Sequence, residues 1–444
     1  MYKFPEGLYT DVRVESVFST GLVYENSQMI QNKVKTDRGA FIRVYDGKRW
    51  FYSATSNPDG VQAEIDNLAK MACPNENILE NPTVKLFEVN VGEDFKFGDT
   101  DVSKIPVEDK VALAEKYLPE LKCDDMPMTR LFYLDKHTEK HIVSSKGTDI
   151  KFDYQTVAVV AFGMLVVNGL PQQMSWQKTG VKFDDVLGQE GKISAEIEDT
   201  REYAEKAVPV EKGEYTCILA PIATGVFTHE SFGHKSEADF MIGDETMIKE
   251  WALGSRVGSD ILSIVDTGIY EGSGYVPYDD EGTKAKYNYI IKNGILSGRL
   301  HSAYTASDLG ENLTGNARAI NFEFEPIVRM TDTFILPGTS TVEELFAGVK
   351  KGIYIKDISH GSGMSTFTIA PTKAYMIRDG KIAEPVKVSV ISGNVMHTLG
   401  QIDGLNDKTE YLSFAVGGCG KMEQFPLPVG FGGPYMRVNG IQVL

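Results

Sequence analysis

Apolar and polar positions in the first part of the chain predict that it opens with β-strands. The segment AFIRVYDGKRWFYSA holds two strand-like runs on either side of Asp46-Gly47, a dipeptide typical of hairpin turns. Apolar residues at helical spacing then predict a helix from Val61 to Ala72, and a second helix is predicted to begin near Pro106. The first part of the chain is therefore predicted to contain both strands and helices.

The pattern returns to strands from Leu131 to Trp176, with a predicted turn at Asn168-Gly169, and indicates a meandering antiparallel sheet. Helical spacing resumes from Ile193 to Ala207. Pro209 and the segment Glu211-Lys212-Gly213 are typical of a linker. A chain of 444 residues exceeds what one hydrophobic core usually supports. We therefore predict an N-terminal α+β domain over residues 1–207 and a C-terminal domain over residues 208–444.

In the second half, a buried strand from Tyr215 to Leu219 leads through Pro221 into a helix. Beyond that helix the chain is mostly strands and glycine-rich loops, with predicted hairpins at Asn293-Gly294 and Asp379-Gly380 and a short helix from Val342 to Ala347. The predicted fold class is α+β. An N-terminal antiparallel sheet with helices precedes a strand-rich, barrel-like or sandwich domain that carries the helix after Pro221.

That helix holds the most informative motif, THESFGHKSEADF, in which His229, Glu230 and His234 form an H-E-x-x-x-H cluster. Two imidazoles and an adjacent carboxylate are the groups that zinc-assisted hydrolysis requires. On an ideal α-helix, residues at i and i+5 lie roughly 140° apart, too far round to share one ion. We predict a π-turn at Gly233, which would return His234 to the face of His229.

A catalytic zinc ion needs a third protein ligand. Cys419 stands among glycines near the C-terminus, and glycine lets a backbone approach an ion closely. Glu237, three residues after His234, is the competing candidate. It would serve either as a ligand or as a carboxylate that holds an imidazole.

The stretch HESFGHKSEAD, followed far downstream by GGCGK and PVGFGGP, resembles the TldD/PmbA family of metallopeptidases, long labelled modulators of DNA gyrase. DDEGTKAKYNYIIKNGIL, TGNARA, VRMTDTFILPG and SHGSGMSTFTI resemble family blocks in the same order. The resemblance favours the TldD branch, because the PmbA (TldE) branch is similar in fold but lacks the H-E-x-x-x-H cluster. It implies that His229, His234 and Cys419 ligate Zn²⁺ and that Glu230 is the general base.

The resemblance also implies a substrate, a peptide or unfolded polypeptide bound in extended form, and a dimer, formed with a second copy or with a PmbA/TldE-like paralogue. The strand-rich segment from Met364 to Ile369 is compatible with edge pairing to a peptide, although an ordinary glycine-punctuated strand has the same pattern. The candidate substrate contacts are His360, Gly361, Gly363, Thr366 and Arg318. Surface or inter-strand ion pairing is the alternative role of Arg318.

Two other functions fit the same residues. Deformylases also combine a histidine pair, an adjacent glutamate and a cysteine ligand, so a metal-dependent amidohydrolase acting on small substrates is one alternative. A non-catalytic peptide-binding protein with structural zinc is the other, but a closed structural site has no use for Glu230.

Composition limits the partners and the cellular compartment that we expect for the protein. A net charge of −17 without a basic run disfavours nucleic-acid binding. The opening residues show no apolar signal-peptide region, and no later run reaches the roughly 20 apolar residues of a membrane span. Four scattered cysteines suit a reducing compartment. We expect a cytoplasmic enzyme with no membrane partner.

Overall fold

One long and mostly antiparallel β-sheet organises the first half of the chain. The computed structural model describes residues 2–444. Within them the sheet consists of β1 (Tyr9–Glu25), β2 (Gln28–Tyr45), β3 (Trp50–Thr55), β4 (Val91–Asp94), β5 (Met128–Ser144), β6 (Asp149–Val167) and β7 (Leu170–Gly180). The strand order is β3-β2-β1-β5-β6, and β4 and β7 both pair with β6. Only β4 runs parallel to its neighbour among these described strands.

The helices of this half pack on the sheet through apolar stripes. They are α1 (Val61–Met71), α2 (Pro82–Leu86), α3 (Val107–Tyr117) and α4 (Lys192–Lys206). Val61, Ile65 and Leu68 follow helical spacing and are buried in one cluster with residues of β1 and β2. The helices predicted from Val61, near Pro106 and from Ile193 are confirmed. The first and third have both ends within one residue of the prediction, and the second begins at Val107.

Tight turns connect the strands where the dipeptides predicted them. Asn168-Gly169, Asn293-Gly294 and Asp379-Gly380 each have two successive residues with positive φ, between 48° and 78°. This is the geometry of a two-residue hairpin turn with matching strand twist. At Asp46-Gly47 the carboxylate of Asp46 accepts hydrogen bonds from the backbone N–H groups of Lys48 and Arg49, at 2.9 and 2.8 Å. The four predicted hairpins are confirmed.

The second half of the chain is rich in short strands. They are β8 (Val208–Pro209), β9 (Gly213–Leu219), β10 (Ile264–Thr267), β11 (Asn288–Lys292), β12 (Ile295–Leu296), β13 (Ala317–Arg318), β14 (Ile327–Val328), β15 (Asp332–Ile335), β16 (Lys351–Gly363), β17 (Thr366–Arg378), β18 (Lys381–Lys387), β19 (Ile391–Asn394), β20 (Ile402–Leu405), β21 (Glu410–Ser413), β22 (Cys419–Lys421), β23 (Gln424–Leu427), β24 (Gly430–Gly433) and β25 (Met436–Val443). The helices are α5 (Pro221–Thr228), α6 (Glu245–Glu250), α7 (Ala303–Leu309), α8 (Val342–Ala347) and α9 (Val395–Gly400).

A closed barrel and an open sheet organise these strands. β16, β9, β25, β19 and β17 pair in that order, and β17 pairs again with β16, so this five-stranded sheet closes on itself. The open sheet has the order β12-β11-β10-β15-β24-β21. The predicted α+β class, with a strand-rich and barrel-like second half, is confirmed. The proposed division between residues 207 and 208 stays a prediction.

Helix α5 lies between the barrel and the open sheet, where it contacts both β16 and β24. The ring of Phe227 on α5 meets the ring of Phe367 in the barrel edge to face, with centroids 5.0 Å apart. On the other side, a Cβ at Gly225 would lie 2.6 Å from the Phe431 ring. Close packing therefore fixes the position of α5 between the two sheets. It also fixes where the residues that directly follow the helix begin.

Buried ion pairs join the two halves of the molecule. Arg43 on β2 donates to Asp11 on β1 and to Glu281 in the second half, at 2.7 and 3.0 Å. Lys140 on β5 donates to Asp280 at 2.5 Å. Along residues 2–444, no helix combines the length and the apolar character that crossing a bilayer requires.

Candidate metal centre

The helix that carries the H-E-x-x-x-H cluster changes its pitch at the cluster. Helix α5 ends at Thr228 and continues as a π-helical turn from His229 to Gly233, followed by a 3-10 turn that begins at His234. The predicted π-turn is confirmed. Gly233 suits this place because a Cβ there would overlap the sulfur of buried Met330. The wider turn brings the two imidazole rings to a centroid distance of 5.0 Å.

Cys419 meets these two histidines from the far end of the chain. Candidate ligand atoms of His229, His234 and Cys419 all lie within 4.8 Å of one another. The Cys419 Sγ lies 3.6 Å from His234 Nε2, although 185 residues separate them along the chain. All three side chains are buried or nearly so. The fold thus brings together the three residues that the sequence singled out.

A hairpin and two buried cations hold Cys419 in place. It begins β22, which pairs with β23, and its carbonyl accepts a hydrogen bond of 2.7 Å from Arg329 Nη2. The preceding residue Gly418 has φ +148°, and a Cβ there would lie 2.6 Å from the Leu427 carbonyl oxygen. Two residues after Cys419, Lys421 donates to the Val328 carbonyl at 2.8 Å.

Glu237 lies on the other side of the second imidazole. His234 Nδ1 lies 3.2 Å from the Glu237 carboxylate, so the ring has Cys419 at one nitrogen and Glu237 at the other. Lys421 Nζ also lies 3.1 Å from that carboxylate, which is fully buried. Of the two roles open to Glu237, this geometry matches the carboxylate that holds an imidazole.

The charges of the cluster shift the pKa of its members. Burial by itself raises the pKa of the Cys419 thiol, but His229 and His234 more than offset this effect and lower it to about 5. Burial lowers the pKa of His234, whereas Cys419 and Glu237 raise it, with a net value of about 10. Burial also raises the pKa of Glu230. A thiolate is therefore favoured beside the imidazoles, and thiolate is the form that binds metal.

The side chains of His229, His234 and Cys419 suit a metal ion, and one of their nitrogens has no hydrogen-bond partner among the described residues. His229 Nδ1 is buried and has no hydrogen-bond partner among the described residues. An orphaned buried nitrogen costs free energy unless something binds it. Two imidazoles and one thiolate are typical zinc ligands, and catalytic zinc sites use three protein ligands. The residues present therefore fit a zinc ion.

A cavity of about 280 Å³ opens beside the cluster. Its wall includes His229, Glu230 and Cys419, together with His360 and Gly361 of β16. Ser359, Gly417 and Gly418 also line it, and the remaining side chains of the wall are apolar; they are Ile222, Val226, Ile358, Phe414, Val416, Val429 and Phe431. The rings of Phe414 and Phe431 stack at 4.7 Å. A small ligand in this cavity would meet His229, Cys419 and an apolar surface together.

The predicted substrate contacts divide into two groups. At Gly361 a Cβ would lie 3.1 Å from Glu230 Cγ, and at Gly363 it would lie 2.6 Å from the Glu230 carbonyl oxygen, so β16 passes close to the cluster. His360 shares this wall. Thr366 and Arg318 are not part of it. Buried Arg318 instead donates to the carbonyl oxygens of Met330 and Pro428.

Some residues around the centre are absent from the sequence-based prediction. Phe414 and Phe431 line the cavity, and Lys421 supports the cysteine hairpin. The signal for Lys421 was its place two residues after Cys419 in GGCGK. A periodic pattern cannot show which distant loops meet, so the two phenylalanines carried no such signal.

Fold and cluster define an α+β protein whose second half combines a closed barrel with an open sheet and carries a buried His-His-Cys candidate metal centre. Residues 212–444 match the model of the PmbA/TldA metallopeptidase C-terminal domain, and residues 10–73 match that of PmbA/TldA metallopeptidase domain 1. The first match covers more than half of the chain. The chain belongs to the TldD/PmbA family of metallopeptidases.

Curated relatives and solved structures agree with this membership. A metalloprotease of Synechocystis is 36% identical over 350 residues, which are 77% of this chain and 74% of the relative. A zinc metalloprotease TldD homolog of Saccharolobus solfataricus is 30% identical over 449 residues, 98% of this chain and 96% of the relative. Two solved structures share the fold at low identity. A protein described as a modulator of DNA gyrase from Thermotoga maritima has a TM-score of 0.75 at 20% identity, and the match covers 99% of this chain and 96% of that protein. TldE from Thermococcus kodakarensis has a TM-score of 0.73 at 15% identity, and the match covers 98% of this chain and 96% of TldE.

Proposed function

We propose that this protein is a zinc-dependent metallopeptidase that hydrolyses peptides or unfolded polypeptide segments. The observation that carries the proposal is the convergence of His229, His234 and Cys419 within 4.8 Å, beside a cavity whose wall includes Glu230. The names of the relatives support it, since they are called metalloproteases and one name specifies zinc.

In this proposal His229, His234 and Cys419 hold the ion and Glu230 moves the proton. A bound zinc ion supplies Lewis acidity, which polarises a peptide carbonyl and makes water easier to deprotonate. Glu230 accepts the proton of the attacking water and passes it to the leaving amine. Burial raises the pKa of Glu230, which makes this carboxylate a stronger proton acceptor than an exposed one.

Neighbouring residues keep the ligands oriented. The Glu237 carboxylate accepts a hydrogen bond from His234 Nδ1–H and so presents Nε2 toward Cys419. Arg329 donates to the Cys419 carbonyl oxygen, and Lys421 donates to the Val328 carbonyl oxygen, so the backbone is held at the cysteine and two residues after it. This support lowers the entropy lost when the three ligands bind an ion.

The free edge of β16 supports an extended substrate. Strand β16 pairs with β9 only from Gly352 to Ile355, whereas its pairing with β17 continues to Gly363. Among the described residues, no strand pairs with the second edge of residues 358–363. We propose that a peptide adds to this edge as a strand, with His360, Gly361 and Gly363 beside it and Thr366 on the paired strand.

Metal analysis tests the ligand set. We expect the wild-type protein, purified without chelators, to contain about one zinc ion per chain, and His229→Ala, His234→Ala and Cys419→Ala to lose most of it. His397→Ala, an exposed histidine on α9, is the matched control and should keep the metal. Stoichiometric metal in the double variant of His229 and His234 would contradict the assignment.

Turnover of matched substrates tests the reaction. Glu230→Gln should retain zinc and lose activity on an unfolded polypeptide by about 10²-fold or more, because it cannot accept a proton. Formylated and acylated amino acids serve as the second substrate set. Cleavage of these small amides without cleavage of the polypeptide would contradict the peptidase proposal and favour a small-substrate amidohydrolase.

We also propose that the protein works in the cytoplasm as a dimer, with a second copy or with a TldE-like paralogue. Cys73, Cys123, Cys217 and Cys419 are free thiols, as expected in a reducing compartment. The fold shared with TldE of T. kodakarensis supports a paralogous partner of the same architecture. Sedimentation of the protein alone and with the paralogue distinguishes the two assemblies, and a monomer in both samples would contradict the proposal.

A further inference from the structure

A basic groove leads away from the candidate metal centre. Two cavities of about 340 and 730 Å³ adjoin each other, because both are lined by Ser19, Lys35, Lys136 and Pro426. The smaller one also shares Phe414 and Gly417 with the cavity beside Glu230. We call the two cavities together the lysine groove. The groove and the cavity at the candidate metal centre therefore adjoin across the loop that precedes Cys419.

The lysine groove is positively charged in a chain of net charge −17. Four cationic side chains line it; they are Lys33, Lys35, Arg38 and Lys136. The carboxylates in its lining are Asp37, Asp135 and Glu323. Asp135 forms a buried ion pair of 2.6 Å with Lys110, which lies outside the lining, so that carboxylate adds little negative potential to the groove.

Lys136 is the only one of these four cations that is not exposed. It is half-buried, and none of the carboxylates in the described part of the chain forms an ion pair with it. Two carboxylates act on it from nearby, but Glu15 pairs with Lys140 and Asp37 pairs with Lys35. Burial lowers the pKa of Lys136. A half-buried ammonium group without a counter-ion is stabilised by an anion that enters the groove.

We propose that the lysine groove binds an acidic stretch of the polypeptide whose scissile bond lies at the candidate metal centre. The inference rests on the proposed function and deepens it by naming the substrate class, which is an unfolded chain with Asp or Glu residues on one side of the cleaved bond. Carboxylates of such a chain pair with Lys35 and Lys136, while its backbone continues past Phe414 to Glu230.

Peptides that differ only in charge test the inference. Fluorogenic peptides with one common cleavable segment carry a Glu tract, a Gln tract or a Lys tract, placed on either side in turn. At low ionic strength we expect kcat/KM for one Glu peptide to exceed that of its Gln counterpart by about threefold or more, as two partly exposed ion pairs allow. The ratio should fall toward one at high salt.

Variants locate the preference. The ratio of Glu to Gln peptide should also fall toward one in Lys35→Gln/Lys136→Gln, and it should persist in Lys70→Gln, an exposed lysine on α1 outside the groove. The single variant Lys35→Gln, at an exposed position, gives a partial effect without disturbing buried structure. An equal rate on Glu and Gln peptides, a preference for Lys peptides, or a preference that survives in the double variant would overturn the inference.

Binding separates this inference from the proposed function. Fluorescence anisotropy of labelled Glu and Gln peptides requires no hydrolysis, so a Glu preference that depends on Lys35 and Lys136 supports the groove even if no peptide is cleaved. Cleavage without any charge preference would leave the peptidase proposal intact and remove the acidic substrate class. Self-association of the wild type through these lysines, with no peptide selectivity, would also overturn the inference.

Discussion

At the scale of single residues, Glu237 shows how one buried carboxylate acts on the candidate metal centre through a neighbour. We predict that Glu237→Gln weakens zinc binding by about 10- to 100-fold, because an amide holds the His234 ring less strongly and donates less charge to it. Competition with a chelator of known affinity measures the change. Glu211→Gln, an exposed glutamate, should bind zinc like the wild type, and an unchanged affinity in Glu237→Gln would refute this role.

His137 is a second residue whose neighbours determine its charge. It lies 3.3 Å from Asp101 and 3.2 Å from Asp153. Burial lowers its pKa, but these carboxylates outweigh burial and raise it above the usual 6.5. Because the folded-state pKa is raised, the stabilisation is fully present below pH 6.5 and is lost as pH rises through the folded-state value.

The difference in unfolding free energy between wild type and His137→Gln should therefore be larger near pH ~6 than near pH ~9. Urea unfolding at both pH values measures it. His397 is an exposed histidine, and the unfolding free energy of His397→Gln should change with pH as that of the wild type does. A difference for His137→Gln that stays constant or grows with pH would contradict the prediction.

At the scale of elements, the packing of the π-turn from His229 to Gly233 determines the positions of the two imidazoles. The turn depends on a glycine, since a Cβ at Gly233 would overlap the Met330 sulfur. We predict that Gly233→Ala destabilises the protein by about 1–3 kcal/mol through overpacking, more than the gain in helix propensity returns. It should also lower zinc occupancy, because a shift of this turn separates the two imidazoles.

Denaturant unfolding and metal content of the same variant measure the two effects. Gly98→Ala is the matched control, because a Cβ there meets no atom within 4 Å and φ is not positive. Wild-type stability together with full zinc content in Gly233→Ala would show that the turn does not need the glycine.

At the scale of the whole molecule, buried charges connect the N-terminal sheet to the second half. Arg43 pairs with Asp11 and Glu281, and the side chains are almost fully buried. We predict that Arg43→Met destabilises the protein by about 3–5 kcal/mol, because it leaves two buried carboxylates without their partner. Urea denaturation measures the loss.

Arg378→Met supplies the contrast, since Arg378 pairs with Glu384 at an exposed site. Its cost should stay below about 1 kcal/mol. Equal costs for the two variants would mean that burial of the Arg43 network contributes little. A separate unfolding transition for each half in Arg43→Met would show that this network couples them.

Local pattern was enough to predict much of the fold. The hairpins at Asn168-Gly169, Asn293-Gly294 and Asp379-Gly380 follow from residues that tolerate positive φ, and α1 follows from its apolar spacing. These features depend on contacts within a few residues. Closure of the barrel did not follow, because it requires β16 to pair with both β9 and β17, and pairing between distant strands leaves no periodic trace.

For the candidate metal centre, the sequence by itself determined the chemistry: two imidazoles, a neighbouring glutamate, a glycine that permits a wider turn, and a cysteine among glycines. Tertiary structure alone decided that the Cys419 sulfur lies 3.6 Å from His234, that Glu237 takes the opposite nitrogen, and that Arg318 is engaged by backbone carbonyls. Residue types and local spacing set what a side chain can bind. Which groups meet depends on the packing of elements far apart in the chain, where burial and ion pairing select one arrangement from many.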